Sequence, residues 1–533
     1  MILCIDFVFE DMMTRQEEED ENEINNKVHI KPNWKRDISS IFLLMVLYLM
    51  QGVIIGITVS IPLILQSKGV SWKQQGTFSF VHWPFSIKLL WAPIIDSLYI
   101  KRFGRRKTWL LPIQLLIGLI MILLSFYISS LLNTKNILVL TISWIFLYFL
   151  TASQDICVDG WALSLLSNEN IGWASTCQTV GQTIGIFIGH VLFLTFESIE
   201  YSNKYIRKLF SIIEKPSGII SFSNFLLFWG STFIIITLLI ALFKNEKSHK
   251  NDEDDDDDNK RTNNYSLVET YLAMFKLFKK PCIRELTFIL LTQEIGFAAT
   301  NFMTNLKLIE MGVKQELLTL MFTPLILIKI FIPLCISHWT SGSKPLSVYI
   351  YCYIPRLFTS ILIAIFVYVT PVFQPFQWYY YLIANILFGI NETFISSMIV
   401  AKVAFNAKIS DTHIGGTYMT LLATIANMGL SLTRTSLMYA ANYLTWKTCI
   451  IHKQQNMSCN TDENKNQCIS FNNGTCKIEI DAYCIEVGCC IVVGILWLIW
   501  KYRSLIRLQS LPLNKWHVKL IPERTDDTKI YFS

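Results

Sequence analysis

From residue 40 onward the chain returns repeatedly to uncharged, apolar runs of roughly twenty residues, the length a helix needs to cross the hydrocarbon core of a bilayer. A backbone in lipid must satisfy its own N–H and C=O groups, so such runs restrict the chain to membrane-spanning helices or a closed barrel. These runs are far too long for barrel strands. Composition agrees: of 533 residues, 52% are hydrophobic and 16% charged, against about 25% charged in a soluble domain. A hydropathy window of about 19 residues places spans at 40–65, 77–100, 109–132, 137–164, 171–197, 217–243, 284–309, 317–338, 346–370, 378–405, 412–440 and 482–501. The expected fold is therefore all-α, with twelve transmembrane helices. The spans 284–309 and 412–440 are the more polar, as befits helices that line a path rather than face lipid.

The charged stretch "KNEKSHKNDEDDDDDNKRTNN" (244–264) divides six spans from six. It lacks apolar periodicity and reads as a solvated linker. The expected division is an N-terminal segment 1–38, a first half 39–243, a linker 244–282, a second half 283–501 and a tail 502–533. Two six-helix halves joined in this way match transporters built from repeats related by an axis along the membrane normal.

Sidedness follows from charge. The loop "KRFGRRK" (101–107) and the tail residues Lys501, Arg503, Arg507, Lys515 and Lys519 fall on one side, which the positive-inside rule makes cytosolic, together with both termini. The loop 198–216 is also basic and argues the other way, but the short "FGRRK" loop is the stronger determinant. The acidic N-terminus lacks the basic start of a cleaved signal. On the opposite side, the loop 441–481 carries Cys449, Cys459, Cys468 and Cys476, which permit three pairings into two disulfides. It also carries the glycan sequons at Asn456 and Asn473. Together these features place the loop in an oxidising lumen or outside the cell.

The segment "SQDICVDGWALSLL" (153–166) puts Asp155 and Asp159 within an apolar helix. Each charge at the bilayer centre costs at least about 2.5–3.5 kcal/mol. Four residues apart, the two lie on one face, about 5–6 Å apart at Cβ. Two ionised carboxylates there would repel, so either one carries a proton or a cation from another helix sits beside them. They either join helices by hydrogen bonds or form a gating pair. Cations are available at Lys88, Lys307, Arg356, Lys402, Lys408 and Arg434. Lys408, Arg356 and Lys307 can snorkel to an interface. Lys88 lies near mid-span between Trp83 and Trp91, with Pro84 and Pro93 breaking the helix; Arg434 is deep in the eleventh span. Fixed cations and indole faces, Trp161 included, suit a large anion that bears phosphates and a flat base.

Gly181, Gly185 and Gly189 allow close helix approach, while Gln178 and Gln182 repeat the same period and are cavity candidates. His190 reads as a structural hydrogen-bonding residue. Glu294, Asn301, Asn391 and Glu392 are further cavity candidates, the two glutamates in coupling or gating. The sequence carries no P-loop, paired zinc spacing or nucleophile elbow, so neither an enzyme nor a metal site is expected. The basic runs are too short for nucleic-acid binding.

The blocks "QGVIIGITVSIPLILQSKGVS" (51–71), "FSFVHWPFSIKLLWAPIIDSLYIKRFGRRKTWL" (78–110), "SQDICVDGWALSLLS" (153–167), "GWASTCQTVGQTIG" (172–185) and "AFNAKISDTHIGGTYMTLL" (404–422) closely resemble the acetyl-coenzyme A transporter family of the major facilitator superfamily. The resemblance runs from about residue 38 to 500. The "QD-I-x-x-D-x-W" and "FGRR" elements alone are shared with bacterial muropeptide permeases. The resemblance implies transport of acetyl-CoA from the cytosol into the endoplasmic reticulum lumen, in exchange for CoA, with no resident cofactor. Matching positions include Lys88, Trp91, Asp155, Asp159, Trp161, Gln182, Lys408, Gly415, Gly416 and Tyr418, and the four loop cysteines. After "YMTLL" the family tends to a Gly-Asn-Trp-Pro stretch, whereas this chain reads "GLSLTRTS" (429–436), placing Arg434 in that region. The implied partners are acetyl-CoA or CoA and the lipid bilayer; a homodimer is compatible with the sequence. A proton-coupled permease for a muropeptide-like or other anionic solute is the alternative.

Overall fold

The computed structural model describes residues 34–100, 104–133, 136–167, 170, 173–244, 267–340, 344–410, 415–451, 454–459, 468 and 475–516. Most of the expected linker, both chain ends and Asn473 lie outside the described residues. Eight described helices are long and apolar enough to cross a membrane: Ile38–Ser67, Lys107–Asn133, Ile137–Ala162, Trp173–Glu197, Phe222–Phe243, Leu346–Phe373, Trp378–Ile409 and Ala482–Gln509.

The other four expected spans fall on interrupted or more polar helices. The stretch 77–100 is cut into helices Trp72–Ser79, Trp83–Ile87 and Ala92–Ser97, joined by 3₁₀ turns at Phe80–His82 and Lys88–Leu90. Pro84 and Pro93 each sit in the first turn of a new helix, where a missing N–H costs nothing. The stretch 284–309 likewise divides into Pro281–Thr292 and Ala298–Glu310 around a 3₁₀ turn. Gln315–Thr340 and Gly415–Leu444 cover the remaining two.

Glycine sets the closest helix packing. A Cβ on Gly185 would lie 2.1 Å from the Leu49 carbonyl oxygen, and one on Gly52 would lie 2.4 Å from that of Gln182. The helices Ile38–Ser67 and Trp173–Ile186 therefore touch backbone to backbone, as small residues at four-residue spacing permit. Where this contact continues, Phe187–Leu192 widens into a π turn. Gly118 and Gly230 play the same part between Lys107–Asn133 and Phe222–Phe243.

Two buried apolar clusters result. The larger joins residues 44–240 to the parts of the later helices near 298–321, 363–384, 438–441 and 482–490. The smaller is built from 277–297, 346–357, 398–425 and 497–516. The later helices thus merge with the earlier ones near the disulfide-bearing loop, and form a core of their own toward their other ends.

The described residues of the loop expected at 441–481 include three strands. Strands β1 (Trp446–Ile451), β2 (Gln454–Ser458) and β3 (Thr475–Ile480) form an antiparallel sheet in the order β2-β1-β3. Its disulfides are Cys449–Cys468 and Cys459–Cys476, although Cys449 is the backbone neighbour of Cys476 across β1 and β3. Asn456 lies on β2.

Candidate functional site

The aspartates of the 153–166 segment, Asp155 and Asp159, are met by side chains from three other segments. Lys88, freed by the break in its helix, places Nζ 2.5 Å from Asp155 Oδ2, and both side chains are buried. Of the two solutions open to the aspartate pair, a cation from another helix is present. Asp155 Oδ1 accepts from Gln51 Nε2 at 2.6 Å, and Gln51 Oε1 accepts from Gln182 Nε2 at 3.2 Å. Asp159 Oδ1 accepts from Tyr48 OH at 2.8 Å and from Gln178 Nε2 at 3.1 Å. The two glutamines of the fifth span thus serve the acidic pair. The Arg106 guanidinium lies against Gly160, where an added Cβ would approach it to 2.2 Å. The basic loop thereby reaches the carboxyl end of the same motif.

Asp37, where the first helix begins, holds the residues that directly follow this motif. Its carboxylate accepts from the Ser167 N–H at 3.0 Å, Ser167 Oγ at 2.6 Å and Asn170 Nδ2 at 2.8 Å. These hydrogen bonds hold its carboxyl below the usual carboxylate range.

A second cation, Arg434, lies beyond the Lys88–Asp155 pair. Arg434 stacks its guanidinium 4.4 Å from the Phe302 ring centroid. Its Nε is buried without a hydrogen-bond partner, and it forms no ion pair among the described residues. Arg434 interacts electrostatically with His82 and Tyr148. Those two rings meet edge-on at 5.5 Å, and Phe85 packs 5.0 Å from Tyr148 and beneath Lys88. An aromatic wall therefore connects Lys88 to Arg434.

Between the broken second segment and Gly415–Leu444 runs a hydrogen-bonded seam. Ser86 Oγ lies 2.7 Å from Ser431 Oγ, Ser79 Oγ lies 2.8 Å from Thr435 Oγ1, and Thr77 Oγ1 lies 3.1 Å from Tyr439 OH. Trp83 donates Nε1 to Thr435 at 3.3 Å, so its indole belongs to this seam. Trp91 donates to Ser153 Oγ at 3.0 Å and packs on Phe149. Trp161 is 1% exposed inside the main apolar cluster.

The later helices hold their own polar group. Arg356 does not snorkel: it is buried, lies 3.8 Å from the Phe297 ring centroid, pairs with Glu294 at 3.5 Å and donates to Asn301 at 3.4 Å. Lys402 interacts electrostatically with both Glu294 and Arg356. Asn391 accepts from Thr359 at 3.2 Å. Lys307 also fails to snorkel, because Glu310 at 2.9 Å and Asp481 at 2.7 Å hold it beneath the disulfide-bonded sheet. That placement makes it an anchor of the sheet and separates it from the Lys88–Arg434 wall. Lys408 is exposed. His190 is bound through Nδ1 to Ser60 Oγ at 3.0 Å.

Several participants escape a reading of the sequence. Tyr48 and Gln51 are lost in a long apolar helix, although polar groups three apart are a signal there. Lys329, alone in the run "PLILIKIFIPL", pairs with Glu392 at 3.3 Å, is 52% exposed and interacts electrostatically with His190. Gln154 is fully buried, and neither of its amide atoms has a partner.

Comparison with known proteins fits this architecture. An uncharacterized protein of Schizosaccharomyces pombe is 33% identical over 497 residues, covering 90% of this chain and 89% of its own. An uncharacterized membrane protein of Saccharomyces cerevisiae is 30% identical over 551 residues, covering 90% and 98%. The anhydromuropeptide permease of Escherichia coli K12 matches at 28% identity over 164 residues, 28% of this chain and 32% of its own. Among solved structures, a bacterial homologue of the human lysosomal transporter Spinster superposes with a TM-score of 0.53 at 12% identity, covering 91% and 99%. The D-xylose–proton symporter does so with a TM-score of 0.52 at 12% identity, covering 90% and 100%. These structures share the major facilitator fold and, at such identity, show the fold alone. The sequence profile described as Acetyl-coenzyme A transporter 1 matches residues 40–348 and 344–518. With its profile match running from the first helix into the tail, this membrane protein belongs to the acetyl-coenzyme A transporter 1 family.

Proposed function

We propose that the chain moves acetyl-CoA from the cytosol into the endoplasmic reticulum lumen by alternating access, in exchange for CoA. It would use twelve spans in two six-helix halves, with the boundaries given above and both termini cytosolic. The observation that carries this function is the uncompensated positive charge beside the aromatic wall. Arg434 has no ion-pair partner among the described residues, and its Nε is buried without a hydrogen-bond partner. A buried cation without a counter-charge is costly, and a ligand that carries several phosphates offsets that cost.

Phosphates would meet Arg434, with Lys88 released from or shared with Asp155. The adenine would stack among Phe85, Tyr148, Trp83 and Trp91. Asp155 and Asp159, with Gln178 and Gln182, form the switching group: Lys88 pairs with Asp155 when phosphate is absent and turns to phosphate when it is bound. Arg356, Glu294, Asn391 and Glu392 would form the facing half of the site. The hydrogen-bonded seam and the merged apolar cluster support a state closed on the side of the disulfide-bonded loop, the side that this reading makes luminal.

Uptake of radiolabelled acetyl-CoA by proteoliposomes, accelerated by CoA trapped inside, is the test. Saturable uptake that muropeptides do not compete supports the proposal. Uptake of a muropeptide driven by a proton gradient, with none of acetyl-CoA, would replace it with the permease function to which the E. coli permease match points.

A further inference from the structure

The helix Leu267–Phe278 precedes Pro281–Thr292 by two residues. It docks on the broken second segment: Tyr271 OH donates to the Leu90 carbonyl, and Leu277 is completely buried. Its opposite face is open. Leu272 is 51% and Phe275 62% exposed, and Lys276 and Lys279 are exposed beside them. The numbers 272, 275, 276 and 279 mark one stripe of a helix, and Lys279 Nζ lies 5.0 Å from the Phe275 ring centroid. Two large apolar side chains and two lysines on one stripe, at the entrance of a membrane-crossing helix, do not suit open water. They suit the boundary between headgroups and acyl chains.

We propose that this stripe is a binding surface for anionic glycerophospholipid, with Leu272 and Phe275 in the acyl boundary and Lys276 and Lys279 on headgroup phosphates. Charge complementarity and continuity with the membrane helix select a lipid surface as occupant. Through Tyr271, the lipid-bound helix steadies the carbonyl of Leu90, two residues from Lys88. Anionic lipid therefore stiffens the break that positions the Lys88–Asp155 pair. The proposal rests on Pro281–Thr292 entering the membrane and does not depend on the identity of the substrate.

The test is hydrogen exchange of residues 267–279 in the full chain, reconstituted in nanodiscs without substrate. One set is phosphatidylcholine alone; the other contains about one-third phosphatidylserine. Two lysines near an anionic surface predict exchange slower by about thirty-fold in the second set at low salt, with the difference largely abolished at high salt. Lys276→Gln with Lys279→Gln should abolish the difference, while Leu272→Ser with Phe275→Ser should speed exchange in both lipids. Should these variants misfold, the salt dependence of the wild type decides alone. Equal exchange in the two lipids overturns the proposal. So does equal protection by soluble inorganic phosphate in phosphatidylcholine discs, which would make the surface a free-anion site.

Discussion

Lys88 offers the sharpest separation of folding from transport. Its amine and the Asp155 carboxylate are 2.5 Å apart with side-chain exposures of 9% and 5%, and Gln51 supplies Asp155 with a further hydrogen bond. Lys88→Met removes the charge and keeps the chain length, leaving a buried carboxylate held mainly by one amide. Breaking a buried pair in this way costs about 3–5 kcal/mol, a large part of a typical domain's stability. Asp155→Asn alone strands the amine at similar cost. The double substitution removes both charges while the new amide oxygen still accepts from Gln51. It should therefore regain most of the loss, so that the coupling, the two single costs less that of the double, is at least about 4 kcal/mol. Thermal midpoints in detergent measure that coupling, and acetyl-CoA exchange in proteoliposomes measures function in the same preparations. The stable double variant should still exchange about ten- to a hundred-fold more slowly, the loss of one charge-assisted phosphate contact. If it exchanges like wild type, the pair is only structural. If the single losses simply add, the two groups are not coupled at all.

Arg434→Ala should leave the thermal midpoint unchanged or raise it, because a buried charge without an acid partner is removed, while KM for acetyl-CoA rises at least about tenfold; Lys in its place should restore only part of the affinity. An unchanged KM would take Arg434 out of the site. Peptide mapping without reduction should find Cys449 joined to Cys468 and Cys459 to Cys476, and Cys449→Ser with Cys468→Ser should destabilise the chain by about 3 kcal/mol; thiol reagents in sealed vesicles should not reach these cysteines from the cytosolic side. Gly185→Ala should abolish folded protein on size-exclusion chromatography, since its Cβ would meet the Leu49 carbonyl, whereas Gly488→Ala, with nothing within 4 Å, should be tolerated. Asp37, held below the usual carboxylate range by Ser167 and Asn170, contributes fully above about pH 4 and loses its contribution only as pH falls through its lower folded value. Asp37→Ala should thus lower the thermal midpoint equally at pH 7 and pH 5.

Hydropathy alone located the eight described helices that are long and apolar enough to cross a membrane, because transfer into lipid is a sum over consecutive residues and needs no knowledge of neighbours. The breaks at Pro84 and Pro93 and the close approach at Gly181, Gly185 and Gly189 were legible for the same reason: each is a property of a residue and its own backbone. That Asp155 and Asp159 required compensation was also legible, since the cost of charge in hydrocarbon does not depend on the fold. Which group supplies it was not. Lys88, Tyr48, Gln51 and Arg106 reach the motif from elements tens of residues away, and only helix packing selects them from a chain that offers many polar groups. Lys307 and Arg356 show the converse, because sequence alone left both free to reach an interface. Acids hold both in buried pairs instead: Glu310 on its own helix and Asp481 beside the sheet for Lys307, and Glu294 on a neighbouring segment for Arg356. The cysteines left three pairings open because spacing constrains loop length and not direction; the tertiary structure joins Cys449 to Cys468 and Cys459 to Cys476, although strand register sets Cys449 beside Cys476.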